Sequence, residues 1–122
     1  MELEQLTEKV IGCAIQVHRT LGRGFIESIY EKALIIELRN AGLFVQSQEE
    51  CNVYYRDTKV GTHRYDLLVD KELLIELKAV SSLHDIDFVR TRSYLKALQL
   101  RHALLLNFAS MPLTIKRVIY DS

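Results

Sequence analysis

Asp66 and Glu76 each set a carboxylate inside a stretch that is otherwise almost wholly apolar, Tyr65-Asp66-Leu67-Leu68-Val69 and Leu73-Leu74-Ile75-Glu76-Leu77-Lys78. A charge in a buried strand is costly unless it is paired or holds a metal. If the two stretches are strands joined through Asp70-Lys71-Glu72, Val69 pairs with Leu73 and Asp66 falls directly opposite Glu76. Their Cβ atoms would then lie about 4.5–5.5 Å apart on one face, and alternation puts Lys78 on the same face as Glu76. Two carboxylates this close repel unless a cation sits between them or one is protonated. Magnesium (Mg²⁺) takes oxygen ligands at about 2.0–2.1 Å and commonly uses one or two carboxylates plus water. A neighbouring lysine can hold the attacking water or offset developing phosphate charge. The set Asp66, Glu76 and Lys78 therefore suits metal-assisted phosphodiester hydrolysis. A surface hairpin with a Glu–Lys pair and a free Asp fits the same spacing, since a two-residue loop would break the pairing.

The elements that must position these groups are legible in outline. Leu6, Val10, Cys13, Val17 and Leu21 form a helical stripe, which Gly22 stops, and Gly22-Arg23-Gly24 forms an elbow. A second helix fits Ile26 to Arg39, with Ile26, Tyr30, Ala33 and Leu38 on or near one face and Asn40-Ala41-Gly42 as its stop. Short strands follow at Phe44–Gln48 and Cys51–Tyr55, then a longer one at Val60–Val69 in which Gly61 marks a bulge. Leu73–Val80 is a further strand, Asp85–Leu100 a helix, and Ala103–Leu106 and Ile115–Tyr120 the last strands. The order ααββββαββ predicts an α/β fold, with a mixed sheet flanked by helices as in α+β proteins.

Length and composition narrow the function classes. The chain has 122 residues, 16 Lys+Arg against 16 Asp+Glu, two Cys, one Pro and no Trp, which suits one domain spanning residues 1–122. Zero net charge argues against a polybasic protein that holds nucleic acid by bulk electrostatics. Yet residues 1–50 hold eight acids and five bases, whereas residues 51–122 hold eight acids and eleven bases. Between Phe88 and Tyr120 the bases Arg90, Arg92, Lys96, Arg101, Lys116 and Arg117 occur with no acid among them. They form either a phosphate-facing patch or a solvated face whose partners lie on the acidic half. The longest uncharged run, His102–Ile115, is too short and polar to span a membrane, and the acidic N-terminus has the wrong sign for a signal peptide. Cys13 and Cys51 read as buried thiols in a reducing cytoplasm. His63 and His84 are near enough in sequence to the acids to lie by the site, though each reads first as a structural histidine.

The segment Gly24-Phe25-Ile26-Glu27-Ser28-Ile29-Tyr30 carries the pattern for which the GxxExxY proteins are named. Together with Tyr-Asp-Leu-Leu-Val and Ile-Glu-Leu-Lys-Ala-Val it resembles that family from about Val10 to Tyr120. The chain also looks like a small member of the PD-(D/E)XK nuclease superfamily. The resemblance implies a restriction-endonuclease-like core and a nuclease using Mg²⁺ or Mn²⁺ on DNA or RNA. It implies Asp66 and Glu76 as metal-binding acids, Lys78 as the catalytic lysine, and Glu27 as an additional acid reaching the metal directly or through water. Read without it, Glu27 is a first-turn acid favoured by the helix dipole. Tyr30 would orient Glu27 or simply pack; packing is the preferred reading. Gly24 would free the backbone at the elbow. Relatives usually carry a His and a Gln where Asp87 and Arg90 stand here. Arg90 and Tyr94 share a helix face and, with Lys96, are candidate phosphate or substrate contacts.

Two functions from different classes follow. One is a metal-dependent nuclease hydrolysing nucleic-acid phosphodiester bonds. The other is a non-catalytic binding or regulatory module that retains the fold, favoured by the small size, the neutral charge and the departures at Asp87 and Arg90. Exposed apolar surface on so short a chain would also support a homodimer.

Overall fold

The computed structural model describes residues 1–121. Helix α1 (Leu3–Leu21) buries Leu6, Val10, Ala14 and Val17 along one stripe and ends at Gly22, whose φ of 71° lies in the left-handed region open to glycine. Helix α2 (Glu27–Asn40) buries Tyr30, Leu34 and Leu38 at four-residue steps. Five strands, β1 (Val45–Ser47), β4 (Leu67–Val69), β5 (Leu73–Lys78), β6 (His102–Asn107) and β7 (Thr114–Ile119), form a mixed sheet in the order β1-β4-β5-β6-β7. Strands β2 (Glu50–Tyr55) and β3 (Thr58–Arg64) form a separate hairpin. The parallel pair β5–β6 is joined by helix α3 (Asp85–Leu98), as a parallel crossover requires.

Alternation along β5 divides the core. Leu73, Ile75 and Leu77 pack with the buried residues of α1 and α2, while Leu74 packs with Leu95 of α3 and with Leu105. Both faces are covered, which is why β5 reads as a continuous apolar run and why Glu76 within it stands out.

The elbow between α1 and α2 is held by Tyr30. Its hydroxyl donates to the Gly22 carbonyl at 2.6 Å and accepts from the Phe25 N–H at 3.2 Å. Its ring stacks on Phe108 at 4.7 Å between centroids. Tyr30 is therefore a packing residue that sets where α2 begins, and with it the position of Glu27. Removing the hydroxyl in Tyr30→Phe is expected to cost about 1 kcal/mol, checked by urea denaturation with an unchanged m value.

Several sequence expectations need correction. Among the described residues seven strands are present, because the single strand expected at Val60–Val69 is interrupted at Tyr65–Asp66. Its register is nevertheless continuous. Ser47 pairs with Leu67 and Glu50 with Arg64, and the bonds Gln48 N–H to Asp66 O (2.9 Å) and Tyr65 N–H to Glu49 O (3.1 Å) bridge the gap. The interruption follows from Gln48, whose φ of 51° takes the facing chain out of strand geometry. The bulge lies one residue from Gly61, leaving Val60 as the extra residue between the pairs Val53–Gly61 and Tyr54–Lys59. Ile26 is 67% exposed rather than facing the core, because the chain before Glu27 is still extended. Cys13 is only half-buried, Ala14 filling the stripe in its place; Cys51 is buried and both thiols are free. No helix among the described residues is long and apolar enough to cross a membrane.

Candidate active site

The register between β4 and β5 is Leu67–Ile75, Leu68–Leu74 and Val69–Leu73, so the next pair outward is Asp66 with Glu76. There the ladder changes character, and each carboxylate takes a backbone donor of the other strand. The Asp66 N–H donates to Glu76 Oε2 at 2.9 Å, and the Leu77 N–H donates to Asp66 Oδ2 at 2.9 Å. These reciprocal bonds fix one oxygen of each group. Asp66 Oδ1 receives the Gln48 side-chain amide at 3.3 Å, and Glu76 Oε1 has no hydrogen-bond donor among the described residues. The kink at Gln48 ends β1 beside the point where the Asp66 and Glu76 carboxylates enter the ladder.

Burial acts on both acids. Glu76 is only 9% exposed, and loss of solvation together with the neighbouring Asp66 charge pushes its carboxyl up to about 8, against the pull of the Asp66 N–H and Lys78. Asp66 is also raised, first by burial, with the Leu77 N–H, the Gln48 amide and Lys78 opposing. Two acids from α2 join the same field. Burial and the Asp66 charge raise Glu27 and Glu31 alike, and the Gln48 amide reaches Glu31 at 2.8 and 3.1 Å while touching Asp66. Glu31 and Gln48 were absent from the sequence expectation. Glu31 lies one helical turn after Glu27, a spacing that shares a face and was open to notice; Gln48 carried no such signal.

Lys78 emerges on the Glu76 face, and its Nζ lies 3.5 Å from Asp87 Oδ1. Asp87 Oδ2 accepts the His84 N–H at 2.9 Å, so this acid closes the first turn of α3 and holds the lysine at once. That bond, with Lys78 beside it, keeps the Asp87 carboxyl below the usual range. Where relatives of the resembled family carry a His, this chain thus has a lysine tether. Asp87→Ala is expected to lower stability by about 1 kcal/mol through the lost cap, measured as a fall in urea midpoint.

Arg90 and Tyr94 line a crevice of about 60 Å³ with Glu76, Lys78 and Asp87. Lys96 does not; it lines a larger groove on the other side of Tyr94. The basic run of the last third divides accordingly. Arg117 is engaged by Glu4 of α1 at 2.9 Å and Arg101 by Asp121 at 2.6 Å. His63 stacks on Tyr94 at 3.3 Å, and burial holds its imidazole below the usual range.

Among the described residues no three of His, Cys, Asp and Glu converge closely enough to cage a metal ion. Glu27 therefore stands within electrostatic reach of Asp66 and Glu76 without completing a direct three-carboxylate set. The donor chemistry still suits Mg²⁺, which dehydrates reluctantly and is content with one or two carboxylates and several waters. Two carboxylate donors, one buried and one half-buried, each already oriented by a backbone N–H, meet that description.

The model of the PD-(D/E)XK nuclease superfamily matches residues 4–118. No curated protein matches the chain. A solved structure, that of SSO0001, is similar at a TM-score of 0.62 and 16% identity, over 78% of this chain and 50% of that one. The likeness is one of fold, and this chain spans about half the length of that protein.

Proposed function

Because the chain belongs to the PD-(D/E)XK nuclease superfamily, we propose that it is a nuclease that hydrolyses nucleic-acid phosphodiester bonds with a divalent metal. The observation that carries this reading is the Asp66–Glu76 pair, Glu76 buried and Asp66 half-buried, held by reciprocal bonds to the backbone and carrying carboxyls that loss of solvation raises. Glu76 and Asp66 would hold Mg²⁺ or Mn²⁺, with Glu27 and Glu31 acting on its waters. Bound there, the ion supplies Lewis acidity toward a phosphate oxygen. Lys78 would stabilise negative charge gathering on the phosphate, and Asp87 positions that lysine. Arg90, which lines the crevice beside Glu76, would contact a phosphate there. The Tyr30 hydroxyl bonds that hold the elbow before α2 support this reading of Glu27.

The test is cleavage of single-stranded and duplex DNA and RNA by the purified protein with Mg²⁺ or Mn²⁺. Cleavage abolished by a chelator is expected; the absence of cleavage on all four substrates would overturn the reading.

One observation favours a binding module instead. Lys78 is engaged by Asp87, which would quench a catalytic lysine if the pair persists with substrate bound. A rise in melting temperature with millimolar Mn²⁺ supports the metal site, since a ligand selective for the native state stabilises it. A melting temperature indifferent to metal, together with retained oligonucleotide binding, would favour the module.

A further inference from the structure

The β2–β3 hairpin and α3 enclose a groove of about 460 Å³ that the hydrolytic site does not use. Its size is that of a small-ligand cleft. Its walls combine the Tyr54 ring, 60% exposed, with Asn52, Ser93 and Lys96, and no acid lines it. The Asn52 side-chain amide lies 3.4 Å from the Tyr54 hydroxyl, which ties the tyrosine to its strand while most of the residue stays in solvent. Tyr94 lines this groove and also the crevice beside Glu76, so the two spaces meet at one side chain.

Resting on the nuclease reading, we propose that this groove is a nucleotide subsite, in which an unpaired base of the substrate strand stacks on Tyr54 while Lys96 contacts its phosphate. A strand whose scissile phosphate lies at Glu76 and Lys78 would pass Tyr94 and enter the groove with its neighbouring nucleotide. The substrate class is single-stranded nucleic acid, or a duplex with an unpaired end, because a base held in a duplex offers no free face to a tyrosine. Exposed aromatic and cationic groups with no competing acid are the usual means of holding such strands. Lys96 contributes the charge that complements the phosphate. The overall neutrality of the chain is no obstacle, because the subsite needs one local cation.

The test is fluorescence anisotropy with short labelled oligonucleotides, single-stranded and duplex, of DNA and RNA, in EDTA so that hydrolysis plays no part. Wild type should prefer single strands. Tyr54→Ala should weaken single-strand binding about tenfold and Tyr54→Phe should restore it. Lys96→Ala should weaken binding and reduce the log–log salt slope by about 0.7, while Lys9→Ala on α1 should leave it unchanged. Circular dichroism melts like wild type are expected for Tyr54→Ala, whose ring is mostly in solvent. Equal affinity of Tyr54→Ala, Lys96→Ala and wild type would overturn the subsite even if wild type cleaves nucleic acid. Loss of binding in both variants would support it even if no cleavage were ever seen, and the nuclease reading alone would then fall.

Discussion

Lys78→Ala is expected to lower metal-dependent hydrolysis by about 10²–10³-fold while leaving the metal-induced rise in melting temperature in place. The magnitude is that of removing one preorganised group aimed at transition-state charge in a water-poor site. The separation of readouts follows from position. Lys78 shares its face with Glu76 and is tied to Asp87, and it bears no atom that would ligate a cation. Asp66→Asn should behave differently, losing both hydrolysis and the thermal response, because that carboxylate is one of the two oriented donors. Lys78 also pulls the Asp66 and Glu76 carboxyls downward. Its loss should therefore move the alkaline rise of the residual rate to higher pH. Hydrolysis that survives both substitutions would place the chemistry elsewhere. A thermal response lost in Lys78→Ala would mean that the lysine supports the metal site and does not act on the phosphate.

What could be read from the sequence, and what could not, divides by the range of the interaction that decides it. The opposition of Asp66 and Glu76 depends only on a short loop and strand alternation, so register arithmetic reached it. The Glu76–Lys78 face followed from the same local rule. The break at Tyr65–Asp66 did not, because it originates in the backbone of Gln48 on the facing strand. Gln48 likewise meets Glu31 and Asp66 only after α2, β1 and β4 have packed. Arg90 and Lys96 look equivalent in a basic run, yet the helix turns them into different clefts on either side of Tyr94. Asp87 read as a departure that weakens the site. Its double bonding to His84 and Lys78 is a tertiary fact, visible only once α3 starts beside the end of β5.

Glu76→Gln is expected to make the metal-free protein more stable at pH 8, by on the order of a few kcal/mol, while abolishing its response to metal. In the folded chain the Glu76 carboxyl titrates at about 8, raised by burial and by Asp66, whereas an unfolded glutamate titrates near its ordinary value of about 4.3. Below that value both states are protonated and the group has no effect. As pH rises further the unfolded state ionises first, so stability falls through the interval up to about pH 8, where the full cost is present. Asp66 is raised in the same direction, so loss of solvation and mutual repulsion disfavour ionisation of both carboxyls. Glutamine keeps an oxygen that can accept the Asp66 N–H but carries no charge to desolvate. Its urea midpoint should vary much less between pH 5 and pH 8 than that of wild type, the remaining slope coming from Asp66 and the α2 acids. Millimolar Mn²⁺ should restore wild type at pH 8 and leave Glu76→Gln unmoved, because ion binding requires the ionised carboxylates. A wild-type midpoint flat across this interval without metal would show that the pair is already solvated or paired. The case for a site strained in favour of a cation would then fail. A bound cation would relieve the cost of an ionised Glu76, and that cost is measurable whether or not the substrate is ever identified.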